Sequence, residues 1–284
     1  MQITFWGTRG SIPAPGPDTM RYGGNTSCVE VRLHDGTLII FDAGTGIRPL
    51  GKALLAQPGP VRLYLFLSHM HWDHIQGLPF FAPAYVEGTE LCILGPRGEH
   101  ASLEQSVCDQ MRSPYYPIPM HAMAAHIRFV ELSEGSIFEL PGATVAVSVL
   151  NHPGRSLGYR LSADGHVLVY ATDNEPFGAT PVSQHLVEPP KLFPLMQHAD
   201  LLIHDAQYTP EEYPQHLGWG HSTYVDALQI AQQAEVKTLV LYHHDPNHSD
   251  TTIDRITAKA QTWIKRRRLP LSCLTAAEGR RIDF

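Results

Sequence analysis

The segment Ser68-His69-Met70-His71-Trp72-Asp73-His74 sets three imidazoles and a carboxylate within six residues, directly after the apolar run Leu63 to Leu67. On an extended segment, residues two apart project to the same side, so His69 and His71 can bind one ion together. Asp73 and His74 follow a turn and face a neighbouring position suited to a second ion. Imidazoles and carboxylates without a thiolate suit Zn, Mn or Fe. Two ions need about six or seven protein donors when water completes their shells. His152, Asp173 and His243, each placed where a strand ends, fit as the remaining ligands. His243 is preferred to its neighbour His244 because it directly follows the strand residues Leu241-Tyr242.

HxHxDH followed by an isolated His, Asp and His resembles the metallo-β-lactamase superfamily. The resemblance runs through nearly the whole chain, from Phe5-Trp6-Gly7-Thr8 through Phe41-Asp42-Ala43-Gly44 to His243. It implies an α/β fold, an αββα sandwich of two mixed β-sheets flanked by helices. It also implies that His69, His71 and His152 hold one metal, that Asp73, His74 and His243 hold the other, and that Asp173 bridges them. The third His of the family precedes a GYR-like segment, and Gly158-Tyr159-Arg160 follows His152 here.

Within the superfamily, Gly220-His221-Ser222-Thr223 looks like the HST element of ribonuclease Z and its phosphodiesterase relatives. By that resemblance His221 contacts the scissile phosphate, and Asp205 stands where an acid orients such a His. Asp73 is expected to be catalytic as well as a ligand. The implied enzyme is a binuclear, metal-dependent phosphoric diester hydrolase, with zinc the expected metal and manganese or iron as alternatives. A metal-bridging hydroxide would attack a small phosphodiester, a cyclic nucleotide or cyclic phosphate. Two divalent ions, two carboxylates and that hydroxide leave the site net positive, matching an anionic substrate. Tyr115 and Tyr116, in an aromatic and Pro-rich stretch, are the candidates for stacking on a base. Ribonuclease Z carries a tRNA-gripping arm between the third His and the bridging Asp. Only 21 residues separate His152 from Asp173, too few for that arm. An RNA 3′-processing nuclease is the alternative within enzymes, and a non-hydrolytic diiron sensor or binding protein is the alternative of another class.

These side chains need a scaffold that brings distant segments to one place. Short apolar runs recur at Ile3 to Trp6, Cys28 to Leu33, Leu38 to Phe41, Leu63 to Leu67, Val145 to Leu150, Val167 to Tyr170, Leu201 to Ile203 and Leu239 to Tyr242, and read as strands. Several end in polar clusters, Phe41-Asp42, Leu67-Ser68-His69, Tyr170 to Asp173, Ile203-His204-Asp205 and Tyr242 to Asp245, gathered at one edge of a sheet. Periodicity predicts helices over 222–235 and 251–267. With no linker-like run, residues 1–284 read as one domain. Hydrophobic residues at 43% supply a core, and the net charge of −7 argues against a surface that grips a nucleic-acid backbone. Extended nucleic acid is therefore not expected as a partner, whereas a homodimer is compatible with the resemblance. The absence of a long apolar run and of paired CxxC cysteines points to a protein without a membrane span, in a reducing cytoplasm.

Overall fold

The computed structural model describes residues 1–98, 101–177 and 194–284. Strands β1 (Gln2–Gly7), β2 (Cys28–Arg32), β3 (Leu38–Phe41), β4 (Arg62–Phe66), β5 (Glu90–Pro96) and β6 (His126–Leu132) form one sheet. It is joined at its edge by β14 (Arg281–Asp283), giving the order β14-β1-β2-β3-β4-β5-β6. The second sheet has the order β13-β12-β11-β10-β9-β8-β7. Its members are β7 (Ile137–Leu140), β8 (Ala143–Val149), β9 (Leu157–Ala163), β10 (His166–Ala171), β11 (Leu201–Asp205), β12 (Thr238–Tyr242) and β13 (Ser272–Thr275). Both sheets are mixed: β3 to β6 and β10 to β13 pair in parallel, the other strands antiparallel.

The sheets face each other across a core in which Phe5, Phe41, Phe66, Tyr159, Tyr170 and Tyr242 are fully buried. Aromatic pairs such as Phe41–Tyr170, with ring centres 5.1 Å apart, stitch the two layers together. The outer face of the first sheet is covered by helices α1 (Ile47–Leu55), α2 (Trp72–Ile75) and α3 (Leu103–Asp109) and the second by α4 (Tyr224–Gln233) and α5 (Asp250–Arg267). The expected αββα sandwich of two mixed sheets flanked by helices is what forms. Because parallel strands are covered on both faces, they read as continuous apolar runs, and all five residues of β11 are buried.

The helices expected over 222–235 and 251–267 are α4 and α5. Thr223 caps α4 through a reciprocal capping box with Asp226, and Ser249 caps α5. Among the described residues no helix is long and apolar enough to cross a membrane. The four cysteines form no disulfide, and Cys28, Cys92 and Cys273 are buried.

Candidate metal centre

Open α/β sheets present their chemistry beyond the carboxyl ends of parallel strands. Here Asp42 follows β3, the Ser68 to His74 segment follows β4, Asp173 follows β10, Asp205 ends β11 and His243 follows β12. His152 follows the antiparallel β8. Ser11, Asp42, Asp173 and His243 have left-handed backbone, with φ of 63°, 61°, 51° and 60°. Such a conformation costs a residue with a side chain about 1–2 kcal/mol, and it turns the chain abruptly at each of these positions. Gly10 is required for space: a Cβ there would lie 2.4 Å from the His243 ring.

Asp173 stands in the middle. Its Oδ2 lies 3.7 Å from His69 Nε2 and from His152 Nε2, and its Oδ1 lies 3.2 Å from His74 Nε2 and from His243 Nε2. Asp73 Oδ2 is likewise 3.2 Å from His74 Nε2 and His243 Nε2. His71 completes the first group, its Nδ1 3.1 Å from His152 Nε2. The donor atoms of His69, His71, His152 and Asp173 lie within 4.8 Å of one another, as do those of Asp73, His74, Asp173 and His243. The structure thus brings together all seven residues expected from the sequence as ligands.

Two observations show that this cluster fits divalent cations. Among the described residues His69 Nε2 and His74 Nε2 are buried and have no hydrogen-bond partner, an uncommon and costly state that a cation among these donors would relieve. The outward nitrogens, by contrast, are held. His69 Nδ1 lies 3.0 Å from Ser68 Oγ, His74 Nδ1 2.7 Å from Asp42 Oδ2, His152 Nδ1 2.9 Å from the Gly220 carbonyl and His243 Nδ1 3.0 Å from Gln207 Oε1. Partners of this kind fix ring orientation around metals. Asp42 is itself fixed by the Tyr170 hydroxyl and by Ser68, and Asp73 accepts the Ser11 N–H at 2.7 Å.

Electrostatics agree. Burial holds His69 and His71 below the ordinary histidine range and His152 at about 4, so these rings offer lone pairs at neutral pH. Burial opposes charge on Asp73 and Asp173, but the surrounding imidazoles outweigh it and hold both carboxyls well below the usual range. At His74 burial again opposes the charge and is overcome by Asp73, Asp173 and Asp42, which raise it well above the ordinary value. That position attracts positive charge.

His221 stands beside the cluster, its Nδ1 2.7 Å from Asp205 Oδ2. Asp205 Oδ1 accepts the N–H groups of Gln207 and Ser222 at 3.0 and 3.2 Å, so this carboxylate cannot swing away. Burial alone would lower His221, but Asp205 outweighs it and pushes the ring up to about 9. His244, next to His243, instead sits 3.0 Å from the Ala276 carbonyl, and burial takes it down to about 3.

A cavity of about 430 Å³ opens over the cluster, lined by Ser11, Met70, His71, Trp72, Asp73, Asp173 and His221. Tyr115 and Tyr116, expected to stack on a base, are not among the lining residues of this cavity. Tyr116 packs edge-on against Phe80 and donates to the Pro79 carbonyl, while Tyr115 is 86% exposed. Spacing alone also did not reveal Glu175. This buried carboxylate accepts the Gly218 and Gly220 N–H groups at 2.9 Å each and the Tyr213 hydroxyl. Its proximity to Asp173, in Asp173-Asn174-Glu175, is the signal that was available.

The curated relatives include ribonuclease BN of Cronobacter sakazakii (strain ATCC BAA-894), 24% identical over 92% of this chain and 94% of that protein. Among solved structures, human tRNase Z, short form, superposes with a TM-score of 0.68 at 22% identity, covering 100% of this chain and 99% of that one. The metallo-beta-lactamase fold protein YhfI from Bacillus subtilis gives 0.69 at 18% identity over 99% and 98%. Relatives named as ribonucleases overturn the expectation against extended nucleic acid as a partner. The net charge of −7 is a whole-chain sum. Charges beyond about 8–10 Å are screened, so the potential at the cleft is set by its own groups. A family profile described as the beta-lactamase superfamily domain matches residues 37–244, and the chain belongs to that family.

Proposed function

We propose that the protein is a binuclear metal-dependent phosphodiesterase. The observation that carries this is Asp173, whose two oxygens face two separate groups of buried donors at 3.7 and 3.2 Å. His69, His71 and His152 would hold one ion, Asp73, His74 and His243 the other, with Asp173 shared and zinc the proposed metal. Two such ions supply Lewis-acid stabilisation of phosphoryl charge and a nucleophile at neutral pH. The chain's own groups do the rest. Asp205 fixes His221 through Nδ1, leaving Nε2 to donate to a phosphoryl oxygen where negative charge develops. Asp73, on the cavity wall and held by the Ser11 N–H, is placed to take a proton from the attacking water.

The proposed substrate is a small phosphodiester, a cyclic nucleotide or cyclic phosphate. Between His152 and Asp173 the chain is filled by the tight hairpin of β9 and β10, with no inserted arm. A second reading, cleavage of RNA near a 3′ end, is favoured by the ribonuclease names of the relatives. Parallel assays on cyclic nucleotides and a precursor tRNA decide between them. His221→Ala tests the chemistry common to both: it should retain both ions and lower kcat by about 10²–10³, the loss expected for one transition-state donor. Loss of metal would make His221 a ligand, and unchanged kcat would make it structural. Iron absorption without turnover on any phosphodiester would instead favour a sensor.

A further inference from the structure

Of the described residues lining the cavity, five present polar groups, and Met70 and Trp72 form an apolar wall. Both belong to the segment that carries His69, His71 and Asp73, and they line the cavity together with His71 and Asp73. Trp72 is 79% exposed although it is flanked by His71 and by Asp73 and His74. Among the described residues none of the three apolar cores includes this large indole. Other exposed apolar side chains sit next to residues of the site. Ile12 follows Ser11, and Trp219 precedes Gly220, whose carbonyl fixes His152. An apolar surface at the mouth of a polar, anion-binding cavity suits a substrate that is planar and apolar at one end and phosphoryl at the other. A volume of about 430 Å³ lies in the range that holds a drug-sized ligand.

We propose that Trp72 is the stacking platform for a planar nucleobase attached to the scissile phosphodiester. The proposal rests on the phosphodiesterase reading and gives its substrate a chemical class, a nucleoside phosphodiester. Stacking of a base on an aromatic side chain is tolerant of base identity, so the platform selects for a base without choosing among bases.

The test compares two substrates that release the same 4-nitrophenolate, thymidine 5′-(4-nitrophenyl) phosphate and methyl 4-nitrophenyl phosphate. In Trp72→Ala the ratio of kcat/KM for the nucleoside ester to that for the methyl ester should fall by about five- to a hundredfold, the worth of one stacked base. Trp72→Phe, which keeps a ring, should restore most of it. An unchanged ratio overturns the platform, and so does a shift in self-association without a change in ratio, which would make the indole a contact between copies. A second measurement does not need turnover. With ¹⁵N-labelled tryptophan, the indole N–H resonance of Trp72, assigned by its loss in Trp72→Phe, should move on titration with 5′-AMP and stay in place with inorganic phosphate. If neither ester is hydrolysed, the phosphodiesterase reading fails while the resonance still decides the platform: movement with 5′-AMP supports it and stillness overturns it.

Discussion

Removing the Glu175 carboxylate should damage the site from outside it. Glu175→Ala deletes the acceptor of two backbone N–H groups, at 2.9 Å from Gly218 and from Gly220, and of the Tyr213 hydroxyl. Hydrogen bonds to a charged group contribute about 1.5–3 kcal/mol each. The Gly220 N–H, which is buried, loses its partner outright, while Gly218 and Tyr213 lie where water can replace the acceptor. A net loss of about 3–5 kcal/mol follows. At about 2.1 cal/mol/K per residue, a chain of 284 residues has an unfolding entropy near 0.6 kcal/mol/K, so Tm should drop by about 5–8 °C. Catalysis should fall too. Gly220 has φ of 86° and a Cβ there would meet His152 Nδ1 at 2.3 Å, so the loop has little room to resettle. Its displacement shifts both the carbonyl that orients His152 and the adjacent His221, and a misplacement of about 1 Å can cost 10²-fold. Calorimetry, metal analysis and kcat on Glu175→Ala and Glu175→Gln check this. The amide variant should recover only part of the stability, because its NH₂ faces a donor. A Tm within 1–2 °C of the native protein, which is about 1 kcal/mol, with unchanged kcat would refute the reasoning.

Four further outcomes are expected. Asp73→Ala and His243→Ala should each lose an ion by elemental analysis, and Asp73→Ala should also lower turnover by orders of magnitude; full metal occupancy would refute their placement as ligands. Chelation should lower Tm by about 5 °C for each ion present at a hundred times its Kd, the mass-action term of ~2.7 kcal/mol, and re-addition should restore it. Asp205→Asn should retain both ions and reduce kcat, since His221 keeps its position and loses the charge that strengthens its hydrogen bond; a native kcat would remove Asp205 from the proposed mechanism. Asp200 governs an acid-side effect: burial opposes its charge, but Lys237 and the Val167 N–H outweigh it and depress its carboxyl. A depressed folded pKa gives stability that is present above the unfolded value of about 4 and lost as pH falls through the folded one. Asp200→Asn should therefore lose less stability than the native chain between about pH 5 and pH 3, as urea midpoints would report. Equal losses would exclude the effect.

Six of the seven candidate ligands were legible because they lie beyond the carboxyl ends of apolar runs that form parallel strands, which align such ends whatever lies between them; His152, after the antiparallel β8, was legible through the family resemblance. The residues that hold them were hidden for the opposite reason. Asp42 reaches His74 across 32 positions, and Gln207 reaches His243 across 36. Neither pairing leaves a local pattern. Tyr115 and Tyr116 show how little such a stretch specifies, because an aromatic, Pro-rich run packs against a core as readily as against a base, and Tyr116 packs against a core. Among elements, α1 was obscured by Pro49 and Gly51, although Pro is tolerated in a first turn and Ile47, Leu50, Gly51 and Leu54 mark the buried face. Strands β6 and β7, at sheet edges, carry exposed and half-buried residues along most of their length, so no continuous apolar run announced them.

The two sheets are built from successive stretches of chain, β1 to β6 and then β7 to β13, with β14 returning to the first. In the proposed assignment, His69, His71, Asp73 and His74 belong to the first stretch and His152, Asp173 and His243 to the second. A half-synthesised chain therefore offers each ion two donors, and the remaining donors arrive only when the second sheet has docked on the first. Affinity of that kind cannot nucleate folding; it reports that folding is done. In that assignment metal uptake would come late in the life of the new chain, after the core of Phe41, Phe66, Tyr159 and Tyr170 has closed. Which metal is taken depends on what the surroundings supply at that moment, with a preformed cleft doing the choosing.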